Sequence, residues 1–281
     1  MASNRNPSPK PAPDTGPEPL RDIAPAEPIA PFLGGKRLLA KRIIARIEAV
    51  PHRCYAEPFV GMGGVFLRRP KRPKVEAIND VNGEIANLFR ILREHPDELA
   101  QQFRWAVASR HDFRRLVKTP PEVLTDVQRA ARFAYLQTLA FAGKLDASGM
   151  ALGPYYPCRF RTERILGLIA AAHRRLQGVH IEALDWREFL RRYDKPFTLF
   201  YLDPPYWGHE TDYGRGIFAR EDFAAMAELL RGLKGRFILS LNDRPEVRET
   251  FGGFDFETVG TTYTANAKRA RAVGEVLIVG G

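Results

Sequence analysis

An α/β protein, with a parallel or mixed sheet covered by helices on both faces, is the fold class this sequence predicts. Two observations carry that reading. Six short runs rich in β-branched and aromatic residues (CYAEPFV, VEAIND, VHIEAL, FTLFYL, RFILSL, EVLIVG) read as buried strands. The helical pattern LLAKRIIARIEAV precedes them, and helical stretches such as EDFAAMAELLRGL separate the later ones. A third observation divides the chain. From Val81 to about Phe141 the pattern is almost wholly helical, and the turn-rich stretch GKLDASGMALGPYYP follows it. Residues 84–164 therefore read as an insertion, leaving 31–83 and 165–281 as the body that carries the sheet.

Composition narrows the function classes. At 281 residues the chain suits one large domain, or one domain with a smaller one inserted. A hydrophobic fraction of 44% is enough for a sizeable core. The net charge of +10 suggests a polyanionic partner, nucleic acid before an anionic membrane, although a well-solvated basic surface reads the same way. Two cysteines, Cys54 and Cys158, form neither a disulfide framework nor a CxxC zinc site, and no metal is expected. No apolar stretch is long enough to span a bilayer, and no basic-then-apolar signal opens the chain, so a soluble cytoplasmic protein is expected. Residues 1–30 are rich in Pro, Ala, Ser and Asp and nearly devoid of large apolar side chains. Such a stretch cannot offset the entropy of ordering, which predicts a disordered tail.

Three short stretches carry chemistry. In AEPFVGMGGVF a strand runs into a loop with Gly61, Gly63 and Gly64, then into an expected helix. Glycines there permit close backbone approach by a ligand, or simply a tight turn. Asp80 stands 19 residues beyond Gly61 at the end of the next strand, a position from which an acid accepts hydrogen bonds from ribose hydroxyls. The full GxGxxG pattern and a GK[ST] are both missing, which favours an adenosine-containing ligand without a pyrophosphate. In PFLGGKRLL, Gly34 and Gly35 open the backbone beside Lys36, either a point charge for a carboxylate or phosphate or a solvated lysine at a helix start.

The third is FYLDPPYW. A buried strand ends at Asp203, and the stiff Pro204-Pro205 turn holds Tyr206 beside it. In open α/β sheets ligands bind beyond the carboxyl ends of the strands. A carboxylate and a neighbouring carbonyl there can accept both hydrogens of an exocyclic amino group, while the ring stacks on the base that carries it. A Pro-Pro turn with a cap residue is the plainer alternative.

Taken in order, PFLGGK, EPFVGMGG, INDVN and DPPY resemble the Dam-like (alpha-group) DNA adenine methyltransferases, from about Pro31 to the C-terminus. The resemblance implies a Rossmann-like methyltransferase sheet and an inserted, mainly helical target-recognition domain. It also implies transfer of a methyl group from S-adenosylmethionine to the 6-amino group of a flipped adenine in double-stranded DNA. Phe32, where many members have tryptophan, and Lys36 would contact the methyl donor. Glu57, Phe59 and the loop Gly61 to Gly64 would hold its methionine part, and Asp80 its ribose. Asp185 looks like the family's aspartate at the donor's adenine ring, with Trp186 alongside; equally, it caps the helix WREFLRR. Asp203, Pro204, Pro205 and Tyr206 would form the catalytic edge.

The insert departs from members that read GATC, because AFAGKLDASGMALGPYY lacks their arginine and asparagine. Lys144, Tyr155, Arg159 and Arg161 are the candidate DNA contacts there, and the target sequence stays open, as does a companion restriction endonuclease. Pro157-Cys158 suggests attack on a cytosine carbon instead, but it lies in the insert and leaves DPPY without a role. Related Pro-Pro-Tyr edges serve RNA and protein-amide methylation, and an inactive DNA-binding relic is the non-enzyme alternative.

Overall fold

A computed structural model describes residues 16, 18–32, 36, 39–140, 149–150, 158–210, 216–259 and 274–281. Its strands are β1 Arg21–Asp22, β2 Cys54–Glu57, β3 Lys71–Arg72, β4 Val75–Asn79, β5 His180–Glu182, β6 Thr198–Leu202, β7 Arg236–Asn242, β8 Asp255–Val259 and β9 Glu275–Gly280. The helices are α1 Ala40–Glu48, α2 Gly83–Glu94, α3 Pro96–Phe103, α4 Arg110–Lys118, α5 Asp126–Leu139, α6 Thr162–Arg175, α7 Trp186–Tyr193, α8 Glu221–Arg231 and α9 Pro245–Thr250. All six expected strands form. The short β1–β3 pair and β8, whose alternation DFETV is half polar, escape sequence reading.

The main sheet has the order β5-β4-β2-β6-β7-β9-β8. The β5-β4-β2-β6-β7 portion is parallel, and β9 pairs antiparallel with both β7 and β8. Its central strands β2, β4, β6 and β7 are largely buried because both faces are covered. Alternation along each strand sorts the side chains. Tyr55, Ile78, Leu199, Tyr201 and Ile238 enter one core with α1, α2, α5 and α6. Ala56, Ala77, Phe200, Leu202 and Leu239 enter the other with α7, α8 and α9.

Chain order reverses at β2. From there the sheet grows through β4 to β5 on one side, then through β6 to β7 on the other. The carboxyl ends of β2 and β6 thus flank a topological switch point, where an open α/β sheet leaves a crevice. Glu57 and Asp203 stand at those two ends.

Three expectations change. Residues 18–30 are not a free tail: β1 pairs with β3, the Ala26 N–H donates to the Leu67 carbonyl, and Ala26, Ile29 and Ala30 are buried. A few small apolar residues suffice there because the body already supplies the surface they cover. The glycine loop does not open into a regular helix; residues 61–68 form successive turns, closed by bonds such as Leu67 N–H to the Gly63 carbonyl. The boundaries drawn at 84 and 164 fall inside α2 and α6, whose apolar faces join one core with α1 and the sheet.

Beneath the turns lies a buried charge cluster. Glu76 of β4 accepts from Arg175 of α6 at 2.7 and 2.8 Å and from Arg69 at 3.1 Å. The Arg175 guanidinium also lies over the Phe66 ring, and that of Arg69 over Tyr55. Glu76→Ala strands two fully buried guanidinium groups and should cost about 3–5 kcal/mol in a urea titration. A loss below 1 kcal/mol would mean that the arginines find other partners or water.

Candidate active site

A cavity of about 720 Å³ opens at the switch point. Its wall draws on the ends of β2, β4 and β6, the glycine turns, α6 and the segment 27–32.

The exit of β2 is fixed by β4. Asn79 donates to the carbonyls of Pro58 and Leu184, both at 3.0 Å, and accepts from the Leu184 N–H at 2.7 Å. Asp80 accepts from the N–H groups of Gly61 at 3.0 Å and Asn82 at 2.9 Å. The acid expected at a ribose therefore also holds the glycine turn. Burial pushes its pKa up to about 6, against the two backbone bonds. Gly61 has φ +51, and a Cβ there would meet the Phe32 ring at 3.0 Å. Gly63 has φ +75, and its Cβ would strike Leu67 at 2.9 Å. Neither position suits a residue with a side chain.

Glu57 is 2% exposed yet reaches the cavity wall, and it accepts from the Tyr55 hydroxyl. Burial pushes its pKa up to about 8, only partly opposed by that bond. Such a carboxylate suits an incoming ammonium group, which would return the interaction that water has lost.

At the end of β6, Asp203 Oδ1 lies 2.8 Å from Lys36 Nζ and accepts from the Ser240 hydroxyl at 2.9 Å. Lys36 also donates to the Tyr206 hydroxyl, which donates to Glu275 Oε1 at 2.7 Å. The Lys36–Glu275 separation is 3.8 Å. Of the two acids around this ammonium, Asp203 is 22% exposed toward the cavity and Glu275 only 2%. Burial, with the charges of Asp203 and Glu275, raises the Tyr206 phenol well above its usual range, so it stays protonated. Asn242 exchanges two bonds with the Trp207 backbone, at 3.1 and 3.0 Å, and so fixes the turn after Tyr206.

The structure thus brings together Phe32, Lys36, Glu57, Phe59, Gly61, Asp80, Asp203 and Pro205 in one wall, with Tyr206 bonded to it through Lys36. Arg159 and Arg161 join that wall at its basic end. Trp186 stands behind Phe59, with ring centroids 6.3 Å apart. Asp185 lies apart from the cavity wall; 52% exposed, it caps α7 by accepting from the Arg187 N–H at 2.8 Å. The cap reading accounts for it. Gly34, Gly35, Lys144 and Tyr155 lie outside the described residues. Sequence reasoning missed Asn79, Ser240, Asn242 and Glu275; the one available signal was a polar residue inside or bounding an apolar strand run.

The model of the D12 class N6 adenine-specific DNA methyltransferases matches residues 32–265. The chain belongs to this family. The methyltransferase is also 24% identical over 234 residues to the type II methyltransferase M.CviBI of Paramecium bursaria Chlorella virus NC1A, covering 81% of this chain and 87% of that protein. It is 26% identical over 267 residues to the type II methyltransferase M1.LlaDCHI of Lactococcus lactis subsp. cremoris, covering 86% and 90%. Identity to the DNA adenine methylase of Haemophilus influenzae is 24% over 284 residues, covering 90% and 93%.

Enzymes of this class use S-adenosylmethionine. The cavity fits that molecule: Glu57 has a buried carboxyl that an ammonium group would hold ionised, Asp80 would be an acceptor for hydroxyls, and Phe32 and Phe59 present apolar ring surface. The family match starts at residue 32, yet Glu27 to Pro31 wall the same cavity.

Removal of residues 1–17 should leave melting and donor binding near those of the full chain. Removal of residues 1–31 should weaken equilibrium binding of the donor, with a circular-dichroism melt as the check on folding. The pH response of the ligand-free enzyme follows from Glu57. Its folded pKa is raised, so its contribution to stability is complete below 4.5 and is lost as pH rises through about 8. Urea midpoints should fall across that window, and Glu57→Gln should flatten the fall.

Proposed function

We propose that the switch-point cavity holds the methyl donor and the target adenine side by side, with Asp203 serving both. The observation that carries this reading is the meeting, at one crevice, of the Asp203 edge with Glu57, Asp80 and the Gly61 turn. S-adenosylmethionine supplies an electrophilic methyl group on a sulfonium sulfur. Glu57 neutralises the donor's ammonium, Asp80 accepts from its ribose, and Phe32 and Phe59 present ring surface to it.

The adenine amino lone pair is delocalised into the ring and is a poor nucleophile. Two acceptors, the Asp203 carboxylate and the Pro204 carbonyl, draw its two hydrogens and favour a pyramidal nitrogen as charge develops. This stabilises the transition state more than the ground state. Tyr206 stacks on the flipped base; its hydroxyl, engaged by Lys36 and Glu275, sets the ring's position. The amino nitrogen would attack the methyl carbon as the methyl–sulfur bond breaks, and the sulfur would leave as a neutral thioether. The surplus proton on nitrogen would pass to water after the transfer. No covalent nucleophile is needed, so positioning supplies much of the rate.

Double-stranded DNA is the partner we assign, with residues of the 84–164 segment reading the target and Arg159 and Arg161 beside the flipped base. Two of the relatives are type II methyltransferases, which supports service beside a companion endonuclease of the same target. Mapping of modified bases in DNA from cells that express the chain would give the target directly.

Asp203→Ala should lower methyl transfer to duplex DNA about a hundredfold or more, by loss of an acceptor to the developing charge. Near-normal turnover would remove Asp203 from the reaction. Donor binding without transfer by the unaltered chain, on DNA of every sequence tried, would indicate a binding relic instead.

A further inference from the structure

The turn between α3 and α4 exposes a tryptophan. Trp105 is 86% and Val107 65% exposed, while the backbone between and beyond them is held at several points. The Tyr135 hydroxyl of α5 donates to the Val107 carbonyl at 2.8 Å and accepts from the Ser109 N–H at 3.1 Å. The Thr162 hydroxyl donates to the Ala106 carbonyl at 3.3 Å. A fixed loop carrying a large ring in water bears a standing hydration cost, and tryptophan in such a place suits an interface anchor.

Charge and position identify the occupant. Residues 104–118 (RWAVASRHDFRRLVK) carry five arginines and lysines against one acid, Asp112, which lies 3.6 Å from Arg115. Arg104, Arg114 and Lys118 are exposed with Trp105. The Ala106–Thr162 bond seats this turn against the start of α6, and Arg161, the next residue back, is in the wall of the cavity. The exposed ring therefore stands on a basic segment that is bonded to the start of α6, one residue from the wall of the site. A protein partner would meet that surface with acids; duplex DNA meets it with phosphates along its length.

We propose that Trp105 is an apolar anchor against the DNA that flanks the methylated base, stacking on a base or sugar while the adjacent basic side chains meet phosphates. This rests on the assignment of duplex DNA as the substrate. The anchor adds affinity without reading sequence, because the sugars along a groove edge, or a base step opened beside the flipped adenine, offer apolar surface in any sequence.

The test uses the full chain, a nontransferable donor analogue and a short mixed-sequence duplex. The chain has three tryptophans; Trp186 is buried at 3% exposure and Trp207 is half-buried, so Trp105 is the most open to acrylamide quenching. Saturating duplex should protect the fluorescence of the unaltered chain, and Trp105→Phe should lose most of that DNA-dependent change. Trp105→Ala should melt normally and bind cognate and scrambled duplexes about tenfold more weakly. The slope of affinity against salt should not change, because no phosphate contact is lost. Trp105 still fully quenchable with DNA bound, or unchanged affinity in Trp105→Ala, overturns the proposal. Conversion of a dimer to a monomer by Trp105→Ala, at unchanged DNA affinity, overturns it in favour of a second copy of this chain. If the unaltered chain binds no duplex at all, the assignment of the substrate fails, and this proposal with it.

Discussion

A single ammonium group, Lys36 Nζ, lies between two carboxylates in a place almost closed to water. Two acids brought together in a low-dielectric site repel each other strongly, and one well-placed cation offsets much of that cost. The three groups come from three distant parts of the chain: the segment before α1, the end of β6 and the start of β9. Their meeting ties the N-terminal segment to the centre of the sheet and holds Tyr206 by its hydroxyl. It also divides labour between the acids. Glu275 is enclosed and fixes the ring; Asp203 keeps an open edge to the cavity.

The same economy recurs around the rest of the crevice. Asn79 and Asp80 use side-chain bonds to hold the strand exit and the Gly61 turn, so the backbone that faces the ligand is already ordered before binding. Glu57 is held in a costly place: burial raises its pKa to about 8, and an ammonium ligand relieves that penalty. The Glu76 cluster differs in kind. Its three fully buried charged groups pair with one another and none of them lines the cavity, so it joins α6 to β4 and the turns.

The cavity also draws on residues that precede the family match. Residues 27–31 close one side of it although the family match begins after them, and α6 closes another. Because α2, α5 and α6 share a core with the sheet, the helical segment is anchored to the body through its first and last helices.

Much of this was legible in the linear sequence, for a local reason. Strands buried on both faces are mainly apolar, so CYAE, VEAIN and TLFYL announced themselves despite the buried Glu57, Glu76 and Asn79, and the glycines at 61 and 63 stand where positive φ requires them. DPPY and Asp80 were visible because strand ends are marked by the residues that stop a strand. Sequence could not show that Asp80 holds the turn or that residues 18–30 are packed, and it offered the helix cap only as one of two readings of Asp185. It gave no sign either that Lys36 shares Asp203 with Ser240 and sits beside Glu275. Each of those depends on which surface or charge arrives from elsewhere in the chain. Propensity and spacing are properties of neighbours along the chain; desolvation and pairing of buried charges are properties of neighbours in space, and only the folded sheet brings those neighbours together.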